Sequence, residues 1–444
     1  MIRSPWMNSS FKKKNDLKKL KRTVNGKEYV ILLNSEIGSW AVFSSEDIER
    51  YENSELCDEE MELLYLRGLA LSESGEIVEM DFPKPAEYPS VIILNITTAC
   101  NLKCEYCFAD CSPTAGESME YEVMEKTIQQ VFSLPTSHVT FEFQGGEPLC
   151  NIQGIRNFLE IAEAQKTKCN KTVQYRTVTN CTMISDEFAQ IAKDFKMKIT
   201  ISLDGPEQLN DKARVDAEGN GTFNRVIDGI SKLRNNEICI DGAVCTIGQH
   251  NYNNAEDIVE LFNELNIDFK PRPVNILGRE KETNFTTKKG QWAKTFIKMH
   301  NLSDSAKVEN FIIHIFEENV YTPVRDYVCL RYPCGAAREI ISINPNGDVL
   351  PCDGFKAEGK FVLGNVKDDT IAEMLNQEWV LNLKNRTFKD IKKCNSCIYK
   401  AMCCSCCYSA FGKFGSIYRE DPHCYDRRKI FEFLIDKWIS NNCA

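Results

Sequence analysis

Histidine is scarce in this 444-residue chain, at five residues, and long apolar runs are missing. The longest, such as YVILL and VIIL, fall far short of the ~18 residues that cross a bilayer. That excludes a helical membrane protein. The N-terminus, MIRSPWMNSSFKKK, lacks the apolar stretch of a secretory signal, so the chain is expected in the cytoplasm. Positive charge is in deficit: 54 Lys and Arg against 64 Asp and Glu give a net charge of −10, which argues against a nucleic-acid partner. There is no low-complexity tract. With 43% hydrophobic and 27% charged residues, the composition is that of an ordinary globular protein. Against these absences stand 21 cysteines. Secreted disulfide proteins are normally small and even in cysteine count. A large chain with an odd count points instead to metal ligands. Cysteine without histidine points to iron–sulfur clusters more than to the mixed Cys/His sites common for zinc.

At ~150 residues per domain the length suggests about three domains. Residues 1–88 hold a single cysteine, Cys57. There YVILLN and SWAVFS read as a hairpin joined by Ser35-Glu36-Ile37-Gly38. Ser44 and Ser45 precede a helix start at EDIERY, DEEMELLYLRGLAL reads as a second helix, and EIVEM as a return to the sheet. This pattern is that of a small winged-helix-like module. The preceding KKKNDLKKLKR reads as a solvated basic face or frayed arm. The proline-rich linker DFPKPAEYP marks a boundary.

Residues 89–275 alternate β-rich runs (VIILNIT, HVTFEF, VQYRTVT, KITISLD, ICIDGAVCTI, DFKPRPV) with helical stretches. Such alternation implies right-handed crossovers and a parallel sheet. The units fit an α/β fold, a partial (β/α)6 TIM barrel, with chemistry at the C-terminal strand ends. Residues 276–325 read as a helical bridge. Residues 326–444 form a cysteine-rich domain.

After the first barrel strand comes CNLKCEYC, with Cys100, Cys104 and Cys107. Three thiolates this close can hold three irons of a [4Fe–4S] cube, leaving one iron open to chelate an amine and a carboxylate. A zinc site short of a ligand, or buried thiols, are the plainer alternatives. The CX3CX2C spacing, with Tyr106 before the last Cys, resembles the radical S-adenosylmethionine (SAM) family. FEFQGGEPL, with Gly145, Gly146 and Glu147, is similar to the family segment that binds the SAM amine. Asn180 ends the third strand and Ser202 and Asp204 end the fourth, while Arg214 is a cation able to grip a carboxylate. These resemble the family's other SAM-binding groups, although Cys181 stands where glycine is usual.

The C-terminal cysteines are similar to the SPASM pattern. Cys334 and Cys352 read as CX12GX4C around Gly347. Cys394, Cys397, Cys403 and Cys407 read as CX2CX5CX3C, and Cys424 closes the set. A zinc-ribbon-like element is the plainer reading. The resemblance implies two auxiliary [4Fe–4S] clusters, one on Cys329, Cys334, Cys352 and Cys407, the other on Cys394, Cys397, Cys403 and Cys424. Cys404 and Cys406 depart from the family and stand as alternative ligands or reactive thiols. Most of the remaining cysteines (Cys57, Cys111, Cys150, Cys169, Cys181, Cys239, Cys245, Cys443) are expected as small buried apolar groups. Asp353 follows Cys352, where sulfatase-maturing relatives carry a proposed general base. Here Gly354 is inserted before Phe355.

The resemblance covers about residue 90 to the end. It implies an oxygen-sensitive enzyme with three [4Fe–4S] clusters and SAM, reduced by a donor such as flavodoxin or ferredoxin, that generates a 5′-deoxyadenosyl radical. Residues 1–88 resemble the recognition element of ribosomal-peptide maturases. That implies a precursor peptide whose leader is bound as an added strand and whose core is cross-linked, a cysteine thioether being one such bond. A second reading is a sulfatase-maturing enzyme that oxidises Cys or Ser to formylglycine. A third is an iron–sulfur electron carrier, for which a SAM pocket would have no use.

Overall fold

The computed structural model describes residues 11–79, 84–113, 116–303, 310–321, 329, 332, 334–356 and 359–443. The first ten residues, part of the proline-rich linker and parts of the expected helical bridge lie outside them.

The basic stretch is neither frayed nor an arm. Lys12–Lys13 (β1) pairs with Ala70–Leu71 (β5), and Lys18–Val24 (β2) pairs antiparallel with Lys27–Asn34 (β3). The signal for this hairpin was Asn25-Gly26, both at positive φ, a two-residue turn that matches strand twist. Exposed Lys19, Lys21 and Thr23 alternate along β2 with half-buried Leu20, Arg22 and Val24 because its outer face is solvated. Ser39–Ser44 (β4) completes the sheet in the order β2-β3-β4. The return strand is Ala70–Leu71 rather than EIVEM.

YVILL is apolar without alternation because this sheet is buried on both faces. Leu32 and Phe43 pack against helices Ser45–Asn53 and Asp58–Leu66, whereas Tyr29, Ile31, Leu33 and Trp40 join the main core. The Ser44 side chain caps the first helix by accepting from Asp47 N at 3.0 Å. Trp40 fastens the module to the body: its ring meets Trp438 edge-on at 5.1 Å and its Nε1 donates to Val320 O at 2.6 Å. Trp438 lies on the last helix, Cys424–Asn442. Arg22 of β2 reaches the same helix, 3.1 Å from Asp436.

All six expected barrel strands form: Val91–Thr97 (β6), His138–Gly145 (β7), Thr172–Thr179 (β8), Lys198–Ser202 (β9), Ile240–Ile247 (β10) and Phe269–Pro273 (β11). They are parallel and adjacent in chain order, with helices between them. Period-two alternation sorts the faces. Phe141 and Phe143 of β7 pack on Phe158 of helix Ile152–Lys166, with ring centres 5.0 and 5.5 Å apart. The intervening Glu142 and Gln144 therefore line the concave side.

Among the described residues the cysteine-rich segment forms no separate sheet. Ile340–Ile343 (β12) pairs parallel with β6, and Asp348–Leu350 (β13) and Gly364–Asn365 (β14) extend the same nine-stranded sheet. The partial barrel and its cysteine-rich extension are one continuous layer. No helix of the described residues is long and apolar enough to cross a membrane.

Candidate active site and cysteine clusters

Cys100, Cys104 and Cys107 sit in the loop leaving β6, all partly buried. Most of the bracing of this loop does not use the thiols, although Leu102 N donates to Cys100 Sγ at 3.4 Å. Lys103 N and Glu105 N donate to Val215 O and Ala213 O at 2.8 and 2.9 Å. Arg279, which the sequence reading missed, donates to Cys104 O at 2.6 Å and Cys111 O at 2.8 Å, and pairs with Asp110 at 3.0 Å. Burial pushes Cys100 up and Cys104 up to about 12, whereas a hydrogen bond with the Cys111 thiol pulls Cys107 down to about 6. Ligation by a metal displaces protons from such groups.

The GGEP glycines serve a close approach of chain to chain. A Cβ on Gly145 would stand 2.1 Å from Thr97 O, and one on Gly146 would stand 2.2 Å from Ala99 O. The backbone instead hydrogen-bonds across this gap, Gly146 N to Thr97 O and Glu147 N to Ala99 O, both at 2.9 Å. Gly146→Ala should push away the backbone that carries Cys100. It is expected to lower iron content by about four per chain, with the auxiliary clusters retained. Iron analysis after anaerobic reconstitution checks this, and a full iron complement would refute it.

Glu147 is buried and accepts from Thr179 Oγ1 (2.6 Å), Asn180 N (2.7 Å) and Leu149 N (3.1 Å). Burial nevertheless pushes its carboxyl up to about 7. The Asn180 side chain donates to Asn101 and accepts from Thr182. Next to it Cys181 holds φ +62°, the conformation for which glycine is the usual choice.

Asp204 is the fully buried centre of a charged knot. Tyr106 Oη donates to it, Arg214 Nε lies 3.1 Å away and His250 Nε2 lies 3.3 Å away. Burial opposes its charge, but Arg214 and His250 hold its carboxyl below the usual range. Tyr106 stacks on His250 with ring centres 5.6 Å apart. The side-chain oxygens of Glu147, Asn180 and Asp204 thus accept from the protein's own donors and shape the strand ends. Ser202 Oγ and the terminal nitrogens of Arg214 have no such partner among the described residues.

Asp353 opens a short 3-10 turn after β13. Lys356, three residues on, stands 3.1 Å from Asp353 Oδ1, donates to Gly145 O at 3.1 Å and lies 4.7 Å from the centre of the Phe108 ring. This lysine joins the cysteine-rich segment to both the GGEP strand end and the cluster loop, and sequence reading did not single it out. Glu142, whose carboxyl burial pushes up, feels the Asp353 charge from inside the barrel.

The remaining thiols gather in two places. In one, the thiols of Cys404 and Cys407 hold Cys334 well below the usual thiol range, while burial and the charges of Cys334, Cys406 and Cys329 push Cys352 up. Cys394 lies beside Cys424 and Cys397, and Cys403 beside Cys394 and Cys424. Of the cysteines expected as buried apolar groups, only Cys181 and Cys245 are buried; Cys57, Cys150 and Cys239 are exposed. Those three fall at a helix N-cap, in a surface 3-10 turn and just ahead of a strand, where the core does not reach.

No three His, Cys, Asp or Glu side chains among the described residues close on one ion. That is the arrangement of a mononuclear site. Soft thiols in sets of three or more, with the Asp421 carboxylate acting on Cys403, Cys406 and Cys424 from nearby, fit iron–sulfur cubes. Arg214, with free terminal nitrogens beside the first set, fits a carboxylate.

The radical SAM superfamily profile matches residues 94–276, and that of SPASM, an iron–sulfur cluster-binding domain, matches residues 334–398. The chain combines a radical SAM domain with a SPASM domain. Such domains bind iron–sulfur clusters and SAM. The chain is 26% identical over 370 residues to a cysteine-type anaerobic sulfatase-maturating enzyme of Clostridium novyi, covering 78% of this chain and 96% of that one. Native anSMEcpe with bound AdoMet and Cp18Cys peptide superposes with a TM-score of 0.69 at 20% identity, covering 80% of this chain and 99% of that one. Streptococcus suis SuiB bound to precursor peptide SuiA superposes with a TM-score of 0.57 at 16% identity, covering 94% of this chain and 100% of that one.

Proposed function

We propose that this radical SAM/SPASM protein is a peptide maturase: it captures a ribosomally made precursor through residues 1–88 and modifies the core peptide at the barrel mouth. The observation that carries this reading is the N-terminal module. Its sheet is held to the body through Trp40, the outer edge of β4 pairs with no other strand among the described residues, and Leu63 and Leu66 stand 63% and 56% exposed on its second helix. A leader can join such an edge as a further strand, with main-chain bonds giving affinity and alternate side chains giving specificity. The coverage figures support this reading. The anSMEcpe match leaves about a fifth of the chain without a counterpart, roughly the share of residues 1–88, while the SuiB match leaves far less.

When bound and reduced by a donor such as flavodoxin, the first cluster and SAM supply a 5′-deoxyadenosyl radical that takes hydrogen from an unactivated C–H bond. The chain's own residues do the rest. Arg214 holds a carboxylate, the braced loop fixes Cys100, Cys104 and Cys107, and Asp353 takes the proton that leaves the substrate. Asp353→Asn is expected to keep 5′-deoxyadenosine formation and to lose modified product by ~10²-fold or more, the usual weight of a general base. Mass spectrometry of a full-length precursor tests both claims. Wild-type product yield from the variant would reduce Asp353 to a turn residue.

Formylglycine formation on a sulfatase is the second reading. The Asp353–Lys356 pair and the kinship with sulfatase-maturating enzymes favour it. A sulfatase-derived peptide and a precursor peptide, offered separately, discriminate the two.

A further inference from the structure

Arg386 is the largest fully buried side chain of the described residues, at 1% exposure. A guanidinium does not shed its proton in a protein, so its charge must be answered in place. Its Nε donates to Ile417 O at 2.6 Å and its Nη1 to Ser405 O at 2.8 Å. Its Nη2 has no hydrogen-bond partner. No carboxylate among the described residues pairs with it. The contrast is Arg427, equally enclosed, which lies 3.1 Å from Asp421. A buried cation without a counter-charge is strongly unfavourable.

The thiols of Cys407, Cys404 and Cys334 and the Tyr332 hydroxyl are the groups whose charge acts on Arg386, and Arg386 acts in turn on Cys394. Ser405, whose carbonyl it grips, stands between Cys404 and Cys406 in the chain. A cube on four thiolates carries net negative charge even when oxidised, and its potential follows that charge and the hydrogen bonds to its sulfurs.

We propose that Arg386 is the buried counter-ion of the first auxiliary cluster, that its free Nη2–H donates to a cluster or cysteine sulfur, and that it thereby raises the reduction potential of that cluster. A higher potential makes the cluster the better acceptor for the electron lost when a substrate radical is oxidised. The inference rests on Cys334, Cys352 and Cys407 being ligands of one cluster.

The test is an EPR-monitored redox titration of reconstituted holoenzyme carrying Arg386→Gln or Arg386→Lys, with iron counted in each. Arg386→Gln should shift one auxiliary-cluster signal to lower potential by more than it shifts any other signal, and keep about twelve iron per chain. Arg386→Lys, which keeps the charge, should recover most of the potential. Full iron with unmoved potentials in the glutamine variant would overturn the proposal, as would an equal shift in the lysine variant. A wild-type iron content well below twelve would instead fail the cluster assignment on which the inference rests. Should the glutamine variant not fold, wild-type protein with ¹⁵N-labelled arginine should show nitrogen coupling to a reduced auxiliary cluster. Arg386→Lys should remove that coupling, and its absence from the wild type would refute the contact.

Discussion

Alanine at Cys100, Cys104 and Cys107 together is expected to abolish 5′-deoxyadenosine formation and to lower iron from about twelve to about eight per chain. The reasoning is local. These thiols belong to a loop braced by Arg279 and by backbone bonds to Val215 and Ala213, none of which uses sulfur. The loop should therefore largely keep its course, losing only the Leu102 N–Cys100 Sγ bond, and the auxiliary thiols lie from Cys329 onward, beside β12 and β13 and in the helices beyond them. Removing one partly buried sulfur per residue costs little packing, so soluble folded protein is expected. Residual 5′-deoxyadenosine release, or stoichiometric zinc with little iron in the wild type, would sink the assignment.

The second large effect concerns the N-terminal module. Leu63→Glu with Leu66→Glu should weaken leader-peptide binding by at least ~10-fold and cut modification of a full-length precursor accordingly. Burying a leucine in an interface is worth ~1.5–3 kcal/mol, and ~1.4 kcal/mol is a tenfold change in affinity. Both leucines are already exposed, so the folded chain loses little. Fluorescence anisotropy with a labelled leader reads the first effect, and mass spectrometry of the precursor reads the second. SAM cleavage without peptide should stay at the wild-type level. Unchanged processing would refute the docking role and favour formylglycine formation. Deleting residues 1–88 is the poorer experiment. It would strip Trp40 from Trp438 and uncover the last helix, mixing loss of recognition with loss of stability.

The six barrel strands were legible because each apolar run was short and followed by a helical period. The first cysteine loop was legible because its spacing is local. Other features escaped for physical reasons. The pairing of β12 with β6 joins segments about 250 residues apart, and no local pattern reports such a contact. Arg279 and Lys356 act on the cluster loop from distant turns. Glu147, Asn180 and Asp204 were read as cofactor contacts, and their side-chain oxygens also bond inside the protein, a second use that residue type does not report. His250 had a signal in its rarity, one of five histidines. Lys18, Lys19, Lys21 and Arg22 hid the strand β2 behind a charge run, although Asn25-Gly26 marked its turn.

The continuous sheet makes exchange of the SPASM segment between relatives a question of strand phase. Ile340, Ile341, Ser342 and Ile343 stand opposite Val91, Ile92, Ile93 and Leu94, and Asn95 reaches back to donate to Ser342 Oγ at 3.0 Å. A splice that slips this pairing by one residue would turn Ser342 towards the helices and Ile341 or Ile343 into the polar interior. A chimaera made by matching cysteines alone could thus carry every ligand and still misfold. One cut to preserve the phase of Ile341 against Ile92 would keep the auxiliary clusters at a fixed distance from the first, whichever relative donated them.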